Sequence, residues 1–195
     1  GVEQWLLIRG YDTTNPVLLY LHGGPGSPEI PLAHQFSPEL EKHFVVVHWD
    51  QRGAGKSYSR KIPRETMKLS QFISDAHEVV ELLRKRFGVQ KIYIVGHSFG
   101  SLLGILTVQK YPDLFYAYVG IGQVVHVQQN EAISYLFVLD EAQKCNNRRA
   151  MRALLKIGTP PYNNSQKAFI TQRLWLKKFG GMYYTNNESF GRLLM

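Results

Sequence analysis

The chain has 195 residues, a single cysteine (Cys145) and a formal net charge of +8, with 44% hydrophobic and 12% aromatic residues. That is enough for one domain with a sizeable core, and it excludes a disordered tail, an internal disulfide and a cysteine-built zinc site. No stretch approaches the roughly 18 consecutive apolar residues of a membrane span, so no membrane partner is expected.

Taken in chain order, the first part alternates strand-like and helical patterns. The start, GVEQWLLIRG, has neither a signal-peptide pattern nor an initiator methionine, and this points to a start partway into a longer chain. WLLI (5–8), VLLYLH (17–22), FVVVHW (44–49), IYIVGH (92–97) and YAYVGIG (116–122) are short, apolar and rich in β-branched or aromatic residues. Such runs predict strands of a mostly parallel sheet, buried on both faces. Between the third and fourth runs, Ile73, Ala76, Val80, Leu83 and Phe87 recur at helical spacing, with Ser70 as the expected N-cap and Gly88 as the stop. A second helix over 99–110 follows the fourth strand directly and ends at Tyr111-Pro112. This alternation predicts an α/β fold with its sites at the carboxyl ends of the strands.

After Gly122 the pattern is helical. NEAISYLFVLDEAQKC, NRRAMRALLKIG and SQKAFITQRLWLKKFGG follow one another, the last two separated by GTPPYNNS. The expected organisation is therefore a half-sheet over 1–122 and a helical segment over 123–195. The charge divides unevenly between them: 13 basic and 11 acidic residues in the first, 10 and 4 in the second. The basic excess forms no long run, only short pairs such as Arg148/Arg149, so it predicts solvated helix faces and no nucleic-acid partner.

Three motifs carry chemistry. In GHSFG (96–100), Ser98 stands between an apolar strand and an apolar helix. A sharp turn there lifts the hydroxyl clear of the sheet at a helix N-terminus, as a nucleophile requires. In YLHGGPGSP (20–28), adjacent glycines at a strand end leave backbone N–H groups open, and Gly24 (or Gly23) with Phe99 can supply an oxyanion hole. Gly23, in the oxyanion turn, and His97, next to the serine in sequence, are expected to meet substrate. DQRGAGKS (50–57) ends like a nucleotide-binding phosphate loop, but Asp50 occupies the place of its first glycine and no helix follows. A tight turn held by Asp50 and Arg52 is expected instead.

HGGPG, DQRGAGKS and a GxSxG elbow, in that order, resemble the α/β-hydrolase superfamily and its prolyl aminopeptidase-like branch. The resemblance implies a serine hydrolase without cofactor or metal, acting on a small-molecule or peptide substrate through Ser98, with Gly24 and Phe99 as oxyanion donors. It implies too that the helical segment begins the family's cap. His97 and Phe99 flank the serine where that branch usually has glycine and tryptophan, which brings GHSFG nearer to esterases. Around the cap of the peptidases, acidic groups bind the substrate's amine; Glu131, Asp140, Glu141 and Glu188 are the acids available here.

The family's triad runs Ser, then Asp or Glu, then His. After Ser98 there is one histidine, His126, and between them one acid, Asp113, at the far end of the helix that leaves the elbow. His22 belongs to the oxyanion turn and is expected to hold that loop by hydrogen bonds, and His34, His43, His48 and His77 read as surface or packing residues. The expectation is that base and acid follow a completed cap and that residues 1–195 alone are inactive. A half-sheet exposes an unpaired edge, so self-association or a second chain is expected to cover it. The lone cysteine fits a reducing, cytoplasmic setting. The competing readings are an esterase of the same fold and a non-catalytic relative that binds a ligand in the same pocket.

Overall fold

The computed structural model describes residues 1–162 and 165–182. Five strands, β1 (Trp5–Arg9), β2 (Val17–Leu21), β3 (Val45–Asp50), β4 (Ile92–His97) and β5 (Phe115–Ile121), form one sheet in the order β1-β3-β2-β4-β5. β2 pairs in parallel with β3 and β4, and β4 with β5. β1 pairs antiparallel with β3. Because β2 and β4 are parallel neighbours, with Leu21 opposite Gly96, the turns that leave their carboxyl ends stand side by side.

Two of the expected strands are less buried than their sequences imply. β2 and β3 are almost wholly buried, but β5 is exposed from Tyr116 onward except at the half-buried Tyr118, and β1 is exposed at both ends. The reason is position: β1 and β5 are edges, each with a neighbour on one side only among the described residues. Apolar composition alone does not distinguish an edge strand from a central one.

Among the described residues seven α-helices join or follow the strands: α1 (Ala33–Phe36), α2 (Pro38–Glu41), α3 (Leu69–Phe87), α4 (Phe99–Lys110), α5 (Val127–Lys144), α6 (Arg148–Ile157) and α7 (Gln166–Lys178). α3 lays Phe72, Ala76, Val79, Val80 and Leu83 on the sheet, and α4 adds Leu103. They meet Val17, Leu19, Leu21, Val45, Val47, Trp49, Ile92 and Ile94 in the main core. Leu18, Val46 and Val95 form a smaller cluster, flanked by Tyr20, Phe44 and Tyr93. The start of α3 corrects one expectation: the N-cap position is Lys68, which makes no side-chain cap, and Ser70 lies inside the first turn. The stop is as expected, since Gly88 takes the left-handed conformation at φ 66° and its N–H reaches Arg84 O.

The chain divides into two compact units between Val125 and His126. In the second, α5, α6 and α7 enclose Tyr135, Val138, Ala142, Ala150, Leu154, Trp175 and Leu176. Each of these helices begins with a side-chain cap, from His126, Asn147 and Ser165 respectively. Among the described residues no helix is long and apolar enough to cross a membrane.

Candidate active site

Strand β4 ends at His97 and α4 begins at Phe99, so Ser98 alone makes the turn between them. Its backbone sits at φ 51° and ψ −115°, a region that a residue with a side chain rarely occupies. The turn is held from several sides. Ser98 N–H donates to Ile121 O at 2.8 Å, while Ser98 O accepts from Ser101 Oγ at 2.6 Å. Ser101 is fully buried; its hydroxyl also accepts the Val124 N–H at 3.0 Å, and Tyr118 Oη donates to its carbonyl at 2.9 Å. The flanking glycines permit this close packing. A Cβ on Gly96 would overlap the Gly100 carbonyl, and one on Gly100 would overlap the carbonyl of Leu21.

The second turn leaves β2 at His22. Gly23 is buried against the elbow, where a Cβ would stand 3.2 Å from Ser98 Cβ. Gly24 follows at φ 113°, and there a Cβ would meet the N–H groups of Gly26 and Ser27 at 2.6 and 2.7 Å. Only glycine fits both the conformation and the space. Phe99 N–H, as the first of α4, has no intrahelical acceptor, and its ring packs edge-on against Phe72 at 5.8 Å. The 23–24 turn thus packs against the elbow of the half-buried Ser98, and the first N–H of α4, that of Phe99, is free of any intrahelical acceptor. This is an arrangement able to stabilise negative charge on an acylating substrate.

His22 is a structural element of this turn. Its Nδ1–H donates to Gly23 O at 2.8 Å and its Nε2 accepts the Gln51 N–H at 3.1 Å; Gln51 Nε2–H returns a bond to His22 O at 3.0 Å. Both ring nitrogens are occupied, and burial holds its pKa below the ordinary histidine value. His22 therefore binds the oxyanion turn to the end of β3 and cannot take a proton from Ser98. His48 is buried too, with its Nε2 2.6 Å from Ser37 Oγ and its pKa lowered by burial. His77 stacks on Tyr111 at 4.0 Å, and His34 and His43 are exposed.

His97 is engaged by another partner, although both its Nδ1 and the Ser98 Cβ border Gly23, where a Cβ would stand 3.4 and 3.2 Å from them. Its Nδ1–H donates to Glu29 Oε1 at 2.9 Å, and this hydrogen bond raises the His97 pKa. Glu29 went unnoticed in the sequence, where it is an acid three residues beyond Gly26 with no periodicity or motif to single it out. His126 uses Nδ1 to accept the Gln129 N–H at 3.1 Å and so caps α5. Asp113 follows the last turn of α4, about 18 Å of helix beyond the elbow.

The DQRGAGKS stretch forms a turn, with only a single 3-10 turn at Gly55–Ser57. Asp50 Oδ2 accepts the Lys56 N–H at 2.9 Å, and Ser57 Oγ donates to Asp50 O. Arg52 reaches past Asp50 to α3, where it binds both carboxylate oxygens of Asp75 at 2.7 Å with both side chains buried.

Of the acids in the helical part, Asp140 and Glu141 pair with Lys144, and Glu188 lies outside the described residues. Glu131 is buried, pairs with Arg173, and lines a cavity of about 420 Å³ within the second unit together with Val127, Pro160, Pro161, Tyr162 and Phe169. Tyr162 is pushed up to about 12, chiefly by burial and then by the Glu131 charge.

The probable aminopeptidase YbaC of Bacillus subtilis is 39% identical over 195 residues, which cover 99% of this chain and 61% of that protein. The proline iminopeptidase of Saccharolobus solfataricus is 38% identical over 116 residues, or 57% of this chain and 34% of its own. The chain thus spans less than two thirds of the length of these relatives. Among solved structures, a proline iminopeptidase-related protein from Thermus thermophilus superposes with a TM-score of 0.59 at 22% identity, over 88% of this chain and 69% of that one. The proline iminopeptidase of Mycobacterium smegmatis gives 0.57 at 17%, over 95% and 67%. These two likenesses are of fold. The family model of the alpha/beta hydrolase fold matches residues 16–185, most of the chain. With a mostly parallel sheet, a strand–serine–helix elbow and an HGGPG turn beside it, the chain belongs to the α/β hydrolase family, among relatives that are proline iminopeptidase-like.

Proposed function

We propose that this chain carries the nucleophile and oxyanion hole of a serine hydrolase that cleaves the amide after a substrate's N-terminal residue. The observation that carries the reading is Ser98 at φ 51°, on a one-residue turn between β4 and α4, with the buried Gly23 against its Cβ. In this reading Ser98 Oγ attacks the substrate carbonyl while its proton passes to a base. The carbonyl oxygen becomes an oxyanion between Gly24 N–H and Phe99 N–H, and collapse expels the amine, which takes the proton. Water then attacks the acyl-enzyme and frees Ser98. His97 and Gly23 form the wall beside the reacting carbonyl, and no cofactor enters.

The base is supplied from outside residues 1–195. Two observations support this: both nitrogens of His22 are engaged, and His126 caps a helix. The acid at Asp113 stands at the wrong end of α4. Without a base a serine hydroxyl is a poor nucleophile at neutral pH, so residues 1–195 alone turn over little or nothing. The helical unit is read as the family's cap segment, and the cytoplasm as the compartment, on the lone cysteine.

The test is hydrolysis of an N-terminal prolyl anilide and of a short-chain ester by the polypeptide its gene encodes, with and without Ser98→Ala. The reading expects the anilide to be cleaved and the variant to lose at least about 10³-fold in kcat. Ester cleavage alone would favour an esterase. An unaffected Ser98→Ala variant would end the serine mechanism and leave a ligand-binding relative.

A further inference from the structure

The turn after β2 and the elbow after β4 are neighbours in the sheet, and an oxyanion hole built from both depends on their spacing. Below, that spacing is set by strand pairing, Leu21 to Gly96, while the His22–Gln51 bonds tie the same turn on its other side to the end of β3. Above, the loop runs on through Gly24, Gly26 and Ser27, all exposed. Among the described residues, the hydrogen bond that returns this upper loop to the elbow is His97 Nδ1–H to Glu29 Oε1, at 2.9 Å. His97 is the residue that precedes Ser98, and Glu29 lies five residues beyond Gly24.

We propose that Glu29 is a positioning residue, whose carboxylate holds His97 and thereby sets the distance between the Gly24 N–H and the Ser98–Phe99 turn. The clamp tightens when His97 is protonated and loosens when it is neutral, because the bond is then no longer an ion pair. The inference rests on the reading of Gly24 and Phe99 as oxyanion donors.

The groups around the pair leave His97 as the one whose charge changes near neutral pH. Tyr20 on β2 faces Glu29, and burial pushes its pKa up. His22 at the end of β2 and His48 on β3 also face Glu29, with Asp50 adding negative charge near both, and burial holds both histidines low. The His97 side chain is 45% exposed, open enough for its ring to exchange protons with solvent, and Glu29 is 23% exposed beside it.

The experiment is a pH titration by nuclear magnetic resonance on the 195-residue chain. The His97 ring nitrogens and the amides of Gly23, Gly24 and Phe99 are followed in the wild type, Glu29→Gln and Glu29→Asp. In the wild type the Gly24 amide shifts with the same midpoint as the His97 ring, above the ordinary histidine value. In Glu29→Gln the ring midpoint falls back toward that value and the Gly24 shift is lost, while Glu29→Asp retains both in part. A Gly24 amide that ignores the His97 titration in the wild type overturns the proposal, even if Glu29→Gln does not fold. So does one that follows it with equal amplitude in Glu29→Gln. The readout does not depend on acylation of Ser98. If the catalytic reading fails the clamp can still be seen, and if the clamp is absent Ser98 can still be labelled.

Discussion

Gly23 lies against Ser98 so closely that a methyl group on its Cα would stand 3.2 Å from the serine Cβ and 3.2 Å from the His97 carbonyl. The oxyanion turn and the nucleophile elbow are thus in van der Waals contact through a residue with no side chain. Gly23→Ala is expected to fold, since the overlap is a few tenths of an ångström. It should slow acylation of Ser98 about 10²-fold by moving the donors off the carbonyl oxygen. Rate of covalent labelling against melting temperature separates the two effects.

Gly100 tolerates less. Its Cβ would overlap backbone, at Leu21 and His22, and backbone in a central strand cannot give way as a flexible side chain does. Gly100→Ala should destabilise the chain by about 4 kcal/mol, the range of a severe core overlap. Urea unfolding measures it, and a loss below about 1 kcal/mol would show that the elbow can shift to make room.

Arg52 and Asp75 form a buried bidentate ion pair between the DQRGAGKS turn and α3. Removing one partner leaves a charge without compensation. Arg52→Ala is therefore expected to cost about 3–5 kcal/mol in the same urea experiment. Arg52→Lys should recover only part, because an ammonium cannot meet both oxygens in the plane. A neutral outcome for Arg52→Ala would mean that water reaches Asp75.

The pH dependence of stability follows from His97. Its folded pKa is raised, first by the hydrogen bond to Glu29, so its contribution is complete below the unfolded value near 6.5. That contribution is lost as pH rises through the folded value. The difference in melting temperature between wild type and His97→Gln should be largest in mild acid and shrink above neutrality. A difference that grows with pH would contradict the assignment.

Along β5 one ladder edge has no partner among the described residues, and Tyr116, Val119 and Ile121 are exposed. We propose that copies of the 195-residue chain pair through this edge in solution, as unprotected strand edges do. Sedimentation should then show a species heavier than the 22.4 kDa chain. Val119→Lys should shift it toward monomer. A compact monomer at micromolar concentration argues against the pairing.

Much of this architecture was legible in the sequence, for physical reasons that differ by element. The central strands and α4 were readable because VLLYLH, FVVVHW and IYIVGH are buried on both faces, and because a strand running directly into a helix leaves Ser98 only one place to be. His22 was readable as a holder of the loop, since a buried imidazole beside open backbone finds backbone partners. Other features were not legible. The exposure of β5 depends on what lies beyond it in the sheet, which no local pattern encodes. The N-cap position of α3 falls at Lys68, which makes no side-chain cap, so a search for capping residues lands on Ser70 two positions too late. Glu29 meets His97 across 68 residues of chain, and Arg52 meets Asp75 across 23. Such pairs exist only once the sheet has brought their turns together.

The most direct test of the account is fluorophosphonate labelling read by intact mass and peptide mapping, on residues 1–195 and on the polypeptide its gene encodes. The account predicts one adduct, on Ser98, in the gene-encoded polypeptide, abolished by Ser98→Ala, and little or none on the 22.4 kDa chain alone. Rapid labelling of Ser98 in the isolated chain would contradict the claim that its base comes from elsewhere. An adduct that survives Ser98→Ala would contradict the nucleophile itself.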